Sequence, residues 1–373
     1  GWFGILVNLI VCAYEVVSIV RMLEFLIPSV TAVYWYRVLG SPVGLATIAI
    51  GIVLVLGITA MHYRGVRLSS AFQNITSTTL MILVAIGVIV AFTMGTFQNF
   101  KPYFGKPVWA GIIAVSTMLP FSLAGWETIA KGSEEATREM TGTGKSGRTV
   151  PIAWIIGWFA YVATLLATGM VLPWTASAKL DIPFASGLNQ LTGSIYPGLL
   201  LIVTATIGVI GVYNALFYAV TRQLYGMAQA GMMPSWLARV HPTHKTPVNS
   251  ILLATLILLI APFLGRKFLI PLVDAASFAY VVVWGSTFLS VMALARRTAR
   301  SKNPIARPGG PLLQVLGYVS ILFFAIAMLY PKSPGALIWP LEHEILAGLI
   351  VLGLILYWLG PRGSTAGRMS PEP

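Results

Sequence analysis

One stretch of the chain places helix breakers and polar side chains inside an otherwise apolar run. The segment MLPFSLAGWETIAKGSEEA covers residues 118–136. Pro120 removes a backbone donor and Gly125 tolerates unusual dihedral angles, so we expect the helix to break between them. Carbonyl groups exposed at such a break suit an ammonium group, and the dipole of the helical turn that follows favours Glu127. These residues also leave open a plain kink, with Glu127 hydrogen-bonded inside the protein.

Two more carboxyl groups fall within apolar runs. Glu15 lies near the middle of the first apolar run, in CAYEVVSIVRMLEFL, without a partner at helical spacing, whereas Arg21 and Glu24 can neutralise each other at i, i+3. Glu15 must therefore face a cavity, meet a partner on another helix or be protonated. A role at a site and a structural hydrogen bond both stay open for it. Asp274 comes early in its run, which favours a first-turn or capping role.

An aromatic and polar stripe follows further along the chain. Tyr213, Asn214, Phe217 and Tyr218 recur at about one helical turn within GVIGVYNALFYAVTRQLYG. Such a stripe is usually core packing, and it can also line a pocket.

Catalysis and metal binding have no comparable support in the sequence. The four histidines show no metal-ligand spacing, and the single cysteine, Cys12, excludes a disulfide framework and a cysteine-rich metal site. No Ser/His/Asp set is placed for nucleophilic chemistry. We therefore predict no enzyme, no catalytic residue, no metal and no resident cofactor.

The composition identifies the elements that must position these residues. Of 373 residues, 57% are apolar and 9% are charged, with a mean hydropathy of +0.83. A soluble domain carries about 25% charged residues, so the repeated apolar runs indicate a polytopic, all-α membrane protein. We predict a transmembrane domain over residues 1–360 with ten spans, at about 3–27, 42–61, 71–94, 108–131, 151–173, 197–228, 249–264, 269–295, 312–330 and 343–360.

The net charge of +13 is explained by topology. The loops after the second, fourth, sixth, eighth and tenth spans, with the adjoining span ends, carry 16 Lys and Arg, against 7 in the other loops. The positive-inside rule places the first set in the cytoplasm, together with the C-terminus and the start of the first span. We predict no binding to nucleic acid.

The two ends of the chain differ in character. The chain opens with GWFGILVNLI, directly in an apolar helix without Met, leader or charged flank, which is typical of a sequence that begins partway through a protein. Residues 361–373 are polar and rich in Pro and Gly, and we predict a disordered cytoplasmic tail.

Three stretches together resemble the amino acid–polyamine–organocation (APC) superfamily of permeases. They are MHYRGVRLSSAFQN (61–74), PFSLAGWETIAKGSEEATRE (120–139) and AVTRQLYGMAQAGMMPSWLARVHPTHKTPVNS (219–250). The resemblance implies a fold of two inverted five-helix repeats, each opening on a broken helix. The ten spans would be the family's third to twelfth helices, so the first two are expected to be absent and the chain to be N-terminally incomplete. The span at 108–131 would open the second repeat.

The resemblance also implies roles for individual residues. Carbonyl groups around Phe121 and Ala124 would receive the substrate's ammonium group, with Phe121 near a gating aromatic position. Glu127 would orient the unwound segment or sense protons, and Glu15 would face the substrate cavity. The predicted substrate-binding set is Phe121, Ser122, Leu123, Ala124, Gly125, Trp126, Glu127, Glu15, Tyr213, Asn214 and Ser277.

The energy source for transport is not fixed by the resemblance. Some proton-coupled relatives carry a Lys in the fifth helix, and alignment of AFQNITSTTLMI puts Leu80 at that position. A lysine-based proton switch is therefore unsupported, and coupling to H⁺, to Na⁺ or to exchange stays open.

The sequence as a whole favours a secondary transporter of amino acids or related small amines. It would work by alternating access in the cell (inner or plasma) membrane, with the substrate and the lipid bilayer as its partners. An ethanolamine- or polyamine-type permease is the alternative within transport. A channel-like or receptor protein on the same scaffold is the alternative from another class, and the oligomeric state is open.

Overall fold

Helices form along every long apolar run. The computed structural model describes residues 1–27, 33–128, 145–180, 182–299 and 310–359. Its helices are α1 (Trp2–Leu26), α2 (Leu45–Arg64), α3 (Val66–Met94), α4 (Val108–Ser122), α5 (Lys145–Val171), α6 (Trp174–Ser177), α7 (Pro183–Thr192), α8 (Tyr196–Gln229), α9 (Val248–Leu258), α10 (Leu269–Thr298), α11 (Gly310–Leu329) and α12 (Leu341–Leu359).

The long helices have the length and composition of membrane spans. Eight helices in the described part of the chain are long and apolar enough to cross a bilayer, and shorter apolar helices lie at Val108–Ser122 and Val248–Phe263. Each of the ten predicted spans overlaps one of them. The prediction of a polytopic helical membrane protein is therefore confirmed. The tail 361–373 lies outside the described residues, as do residues 129–131 of the fourth predicted span.

The first helix forms the centre of the molecule. α1 is apolar on all sides and is buried along nearly its whole length, which is typical of a helix surrounded by protein. It packs most extensively against α8 and α10. The main core cluster joins these helices through fully buried side chains such as Ile5 and Val16 of α1, Phe217 of α8 and Tyr280 of α10.

The outer helices show the opposite pattern. On α11 and α12 most large apolar side chains are exposed, for example Leu322 and Leu354. An apolar surface this continuous is unfavourable in water and is suited to lipid tails.

α8 is the longest helix, at 34 residues. At 1.5 Å per residue it extends about 51 Å, well beyond the roughly 30 Å of a hydrocarbon core. The predicted span at 197–228, which is longer than one straight bilayer crossing requires, therefore corresponds to a helix that is equally long.

A β-hairpin between α1 and α2 is the element that the all-α prediction missed. Strands β1 (Tyr34–Val38) and β2 (Ser41–Gly44) pair antiparallel. Leu39 and Gly40 form a two-residue turn with positive φ at both positions, as primed hairpin turns require. Leu is unusual there, so the usual Asn-Gly or Asp-Gly signal was absent from the sequence.

The hairpin is tied to the connection between α9 and α10. The Tyr36 hydroxyl donates a hydrogen bond of 2.8 Å to the carbonyl of Phe263, and desolvation raises the pKa of this phenol. This bond holds the hairpin against the segment that joins α9 to α10.

Candidate functional site

The predicted break in the fourth span is present. α4 ends at Ser122, and Leu123–Glu127 form turns and irregular backbone. Fifteen helical residues span about 22 Å, so the helix stops short of a full bilayer crossing. Gly125 adopts a φ of +104°, which an L side chain rarely accepts. Pro120 and Gly125 therefore flank the end of the helix as the sequence predicted.

The break leaves backbone acceptors unused. No hydrogen bond in the described part of the structure reaches the carbonyl groups of Ser122, Leu123 or Ala124. The Gly125 N–H, in contrast, donates a bond of 3.0 Å to the Glu127 carboxylate. Glu127, 9% exposed, thus holds the irregular backbone in place from two residues away. This geometry suits the orienting role that the resemblance implied for Glu127, and the role itself stays a prediction.

One flank of the break packs against α1. The rings of Phe121 and Tyr14 meet edge to face with centroids 5.0 Å apart. Phe121 is half-buried and joins the rim of the main core cluster. The gating position predicted for Phe121 is therefore at the contact between α4 and the central helix.

The same flank also meets α10. The rings of Trp126 and Trp284 lie 5.9 Å apart, and Trp284 contacts Tyr280 at 5.4 Å. The Tyr280 hydroxyl lies 3.4 Å from the Asn8 side-chain oxygen on α1 and close enough to Glu127 to interact electrostatically. These aromatic contacts connect the break to the core.

Glu15 lies where three helices meet. The residue is 8% exposed, and its carboxyl group interacts electrostatically with Tyr14 beside it, Tyr161 of α5 and Tyr280 of α10. Within the described residues no cationic side chain is at ion-pair distance from Glu15. The predicted alternatives of a site role and a structural role therefore both stay open.

A cavity of about 210 Å³ opens on the other flank of the break. The break contributes Ser122, Leu123, Ala124 and Trp126 to its wall. The opposite wall is a face of α5 made of Ala153, Trp154, Gly157, Trp158 and Tyr161. The unused carbonyl groups of the break therefore belong to residues that line a hollow of small-molecule size.

The two residues of α8 in the predicted substrate-binding set, Tyr213 and Asn214, are buried in the protein interior. Tyr213 is fully buried, 6.1 Å from the Phe217 ring, and interacts with Cys12 of α1. Asn214 faces a different group: its side chain bonds to the His62 ring at 2.9 Å and to the Gln73 oxygen at 3.1 Å. A polar connection between α2, α3 and α8 thus occupies Asn214.

Two carboxyl positions on α10 and α12 form a separate cluster. Asp274 interacts with Glu342 and lines a second cavity, of about 720 Å³, that Tyr14 and Met118 also line. The prediction of a first-turn or capping role for Asp274 was wrong, because α10 begins at Leu269 and places Asp274 in its second turn. Ser277, one turn further, is fully buried, and its hydroxyl has no hydrogen-bond partner among the described residues.

Metal binding finds no support in the described residues either. No group of three or more His, Cys, Asp or Glu is placed there to hold a metal ion. The surroundings of the break in α4 instead offer carbonyl groups, aromatic rings and carboxyl groups, which together suit a small cation such as an ammonium group.

Sequence reasoning missed most of the partners of the break. Trp154, Trp158 and Tyr161 were readable as an aromatic stripe at i, i+4 and i+7 of the fifth span. Tyr280 and Trp284 follow Ser277 at i+3 and i+7, again on one face. His62 gave no signal, because its hydrogen-bond partner Asn214 lies 152 residues away along the chain, on another helix.

The amino acid permease family matches residues 1–355 of the chain. Among curated proteins, the branched-chain amino acid permease BcaP of Bacillus subtilis is 22% identical over 311 residues, which cover 83% of this chain and 63% of that protein. The methylthioribose transporter of the same organism is 26% identical over 319 residues, with the same coverage. The aromatic amino acid transport protein AroP of Escherichia coli K12 is 28% identical over 254 residues, covering 66% and 53%.

The coverage limits what these relatives say about the whole protein. The chain spans about 63% of the length of both Bacillus relatives. The names of the relatives describe transport of amino acids or of a methylthioribose, and none describes an enzyme.

Proposed function

The chain belongs to the amino acid permease family, and from this premise we propose that it is a secondary transporter of amino acids or related small amines. The break in α4 carries the proposal. Among the described residues it leaves the carbonyl groups of Ser122, Leu123 and Ala124 without hydrogen bonds, and these residues line a cavity. Irregular backbone is tolerated at bilayer depth only where it is buried in protein or lines a cavity.

The chemistry of the site favours substrates with an amino group. Carbonyl oxygens accept hydrogen bonds from an ammonium group, and the carboxyl groups of Glu127 and Glu15 would supply compensating negative charge when ionised. Glu127 would orient the break, and Phe121 would close one side of it. Transport would proceed by alternating access around this point, within two inverted five-helix repeats.

The proposed setting is the cell membrane with the C-terminus in the cytoplasm. The distribution of 16 Lys and Arg against 7 supports this orientation. An ethanolamine- or polyamine-type substrate is a second candidate, supported by the buried Glu15, which compensates an additional positive charge. Coupling to H⁺, Na⁺ or exchange is left to experiment.

Uptake into proteoliposomes tests the proposal. We expect radiolabelled amino acids or ethanolamine to enter with saturable kinetics and to compete with unlabelled substrate. Flux that rises linearly with the gradient would identify a channel instead. If correctly folded protein in the proteoliposomes took up no amino acid and no amine, the transporter proposal would fail.

A further inference from the structure

A pair of carboxyl groups joins α10 to α12. Asp274 lies in the second turn of α10 and Glu342 in the first turn of α12, and their side chains are within hydrogen-bond range of each other. Apolar neighbours fix this contact, because Ala275 of α10 and Leu346 of α12 belong to one buried cluster. The packing of the two helices therefore holds the two carboxyl groups together.

Glu342 has one oxygen with a donor and one without. Its Oε2 atom accepts a hydrogen bond of 2.6 Å from the N–H of Ile338. Its Oε1 atom is buried and has no hydrogen-bond donor among the described residues. Glu342 is 1% exposed, so bulk water does not replace the missing donor. A buried carboxylate oxygen without a donor is costly, and Oε1 therefore requires a proton or a cation.

The contact between the two carboxyl groups sets the same requirement. Ionised carboxylates only accept hydrogen bonds, so Asp274 and Glu342 can bond to each other only when one of them carries a proton. Two ionised carboxylates at this distance also repel each other, and such pairs share a single proton. The shared proton forms a strong hydrogen bond between an acid and a carboxylate.

Other charged or titratable groups lie on the elements packed around the pair. They are Tyr14 of α1, Arg266 and Lys267 before α10, Lys332 between α11 and α12, and His343 and Glu344 of α12. Within the described residues no cationic side chain is at ion-pair distance from Asp274 or Glu342. No third carboxylate, His or Cys completes a metal site with them in that part of the chain either. A proton is therefore the cation that this pair suits.

A cavity connects the pair to its surroundings through Asp274. Asp274 lines the cavity of about 720 Å³, whereas Glu342 is not among its lining residues. A proton can therefore reach Asp274 from the cavity while Glu342 stays dry. The same cavity is lined by Tyr14, whose ring meets Phe121 beside the break at 5.0 Å. The pair and the break thus adjoin one space.

We propose that Asp274 and Glu342 form a proton-binding site, in which the two carboxyl groups share one proton that exchanges with solution through this cavity. Loss of that proton leaves two negative charges side by side and weakens the contact between α10 and α12. α10 also supports the break, through the contact of Trp284 with Trp126. Uptake therefore falls as the pair deprotonates, and this consequence alone rests on the proposed function.

Infrared difference spectroscopy on the purified protein in nanodiscs tests the shared proton directly, since a protonated carboxyl group has its own C=O band. Ordinary carboxyl groups are largely ionised above about pH 5, so we expect a carboxylic acid band that persists there and is lost towards about pH 9. Asp274→Asn and Glu342→Gln should each abolish this same band, because an amide donor takes the place of the shared proton.

Glu344→Gln is the matched control, because Glu344 is an exposed carboxyl group in the same turn of α12. This variant should keep the band. Two separate bands, of which each variant removes one, would show two independent acids and overturn the proposal. A band that neither variant affects would also overturn it.

A salt titration of the unmodified protein tests whether the ligand is a metal ion instead. At constant pH, added NaCl should leave the band unchanged, as should N-methylglucamine chloride at the same ionic strength. Loss of the band with NaCl alone would identify a sodium site and overturn the proposal.

Uptake assays with equal pH on both sides of the membrane separate this inference from the transporter proposal. Uptake should fall at alkaline pH, and Glu342→Gln, which carries a permanent donor, should flatten this pH profile. An unflattened profile would overturn the link between the pair and uptake. If uptake is saturable but the shared band is absent, the proton site is wrong and the transporter proposal stands. If the band is present but nothing is taken up, the proton site stands and the transporter proposal fails.

Discussion

The central helix α1 and the broken helix α4 differ in two respects: whether the helix is continuous, and how much of it is buried by protein. α1 runs unbroken through 25 residues and is buried on nearly every side by α8 and α10. α4 stops after 15 residues, and Thr117 and Pro120 are the buried residues of its helical part. The packed core thus centres on α1, whereas the break and the candidate site lie at the end of a helix with few buried residues.

This division predicts different consequences for substitutions in the two regions. A change in the core lowers the free energy of unfolding, and uptake falls in proportion to the folded protein that is lost. A change at the break lowers uptake while most of the free energy of unfolding remains. The following predictions test that separation from the largest expected free-energy change to the smallest.

The largest loss is expected at the contact between α1 and α8. Phe217 is fully buried there, so Phe217→Ala should lower the free energy of unfolding by about 3–5 kcal/mol. Phe159 is 62% exposed, so Phe159→Ala should lower the free energy of unfolding much less than Phe217→Ala does. Chemical unfolding in detergent micelles measures both. Similar losses for the two variants would contradict the assignment of the core.

A smaller loss is expected in the polar connection between α2, α3 and α8. His62→Leu leaves the buried Asn214 oxygen without its partner, at a cost of about 1–3 kcal/mol. His62→Gln keeps an amide donor within reach and should recover part of that loss. The same unfolding experiment compares them, and equal stability of the two variants would show that the 2.9 Å bond contributes nothing.

Two glycines give a test of the break itself. An added Cβ meets no atom within 4 Å at either Gly125 or Gly226, but only Gly125 has a positive φ. Gly226→Ala lies inside α8 and should stabilise by up to about 1 kcal/mol, whereas Gly125→Ala should destabilise by a similar amount and reduce uptake. Changes of the same sign would argue against a conformational requirement at residue 125.

The smallest free-energy change is expected at Glu127. In Glu127→Gln the amide oxygen still accepts the Gly125 N–H, so stability should change by less than about 1 kcal/mol. Loss of the negative charge should nevertheless reduce uptake on the order of tenfold. Unchanged uptake kinetics in proteoliposomes would remove Glu127 from the mechanism.

Sequence patterns anticipated the features that depend on neighbouring residues. Apolar runs located the spans, and Pro120 with Gly125 located the break, because both effects act through the local backbone. The resemblance implied an orienting role for Glu127, which lies at hydrogen-bond distance from the Gly125 N–H and whose role stays a prediction. The start of α5 was misplaced, since the helix begins at Lys145 and Pro151 lies inside it.

Features that depend on distant residues were not anticipated. The stripe around Asn214 predicted core packing or a pocket wall, and it gave no indication of the partners of Asn214, which are His62 and Gln73 on two other helices. Asp274 read as a helix cap, yet it meets Glu342 some seventy residues later. Neither pairing leaves a periodic trace in the sequence, because each depends on which helix faces of the bundle come together.

The length of α8 has a mechanical consequence. A straight rod of about 51 Å that rotates by about 10° around one end displaces the other end by roughly 9 Å. Tyr213 lies near the middle of this rod and Arg222 nearer its C-terminal end. A small angular adjustment beside α1 is thereby amplified into a large displacement at the opposite surface, without any bending of the helix.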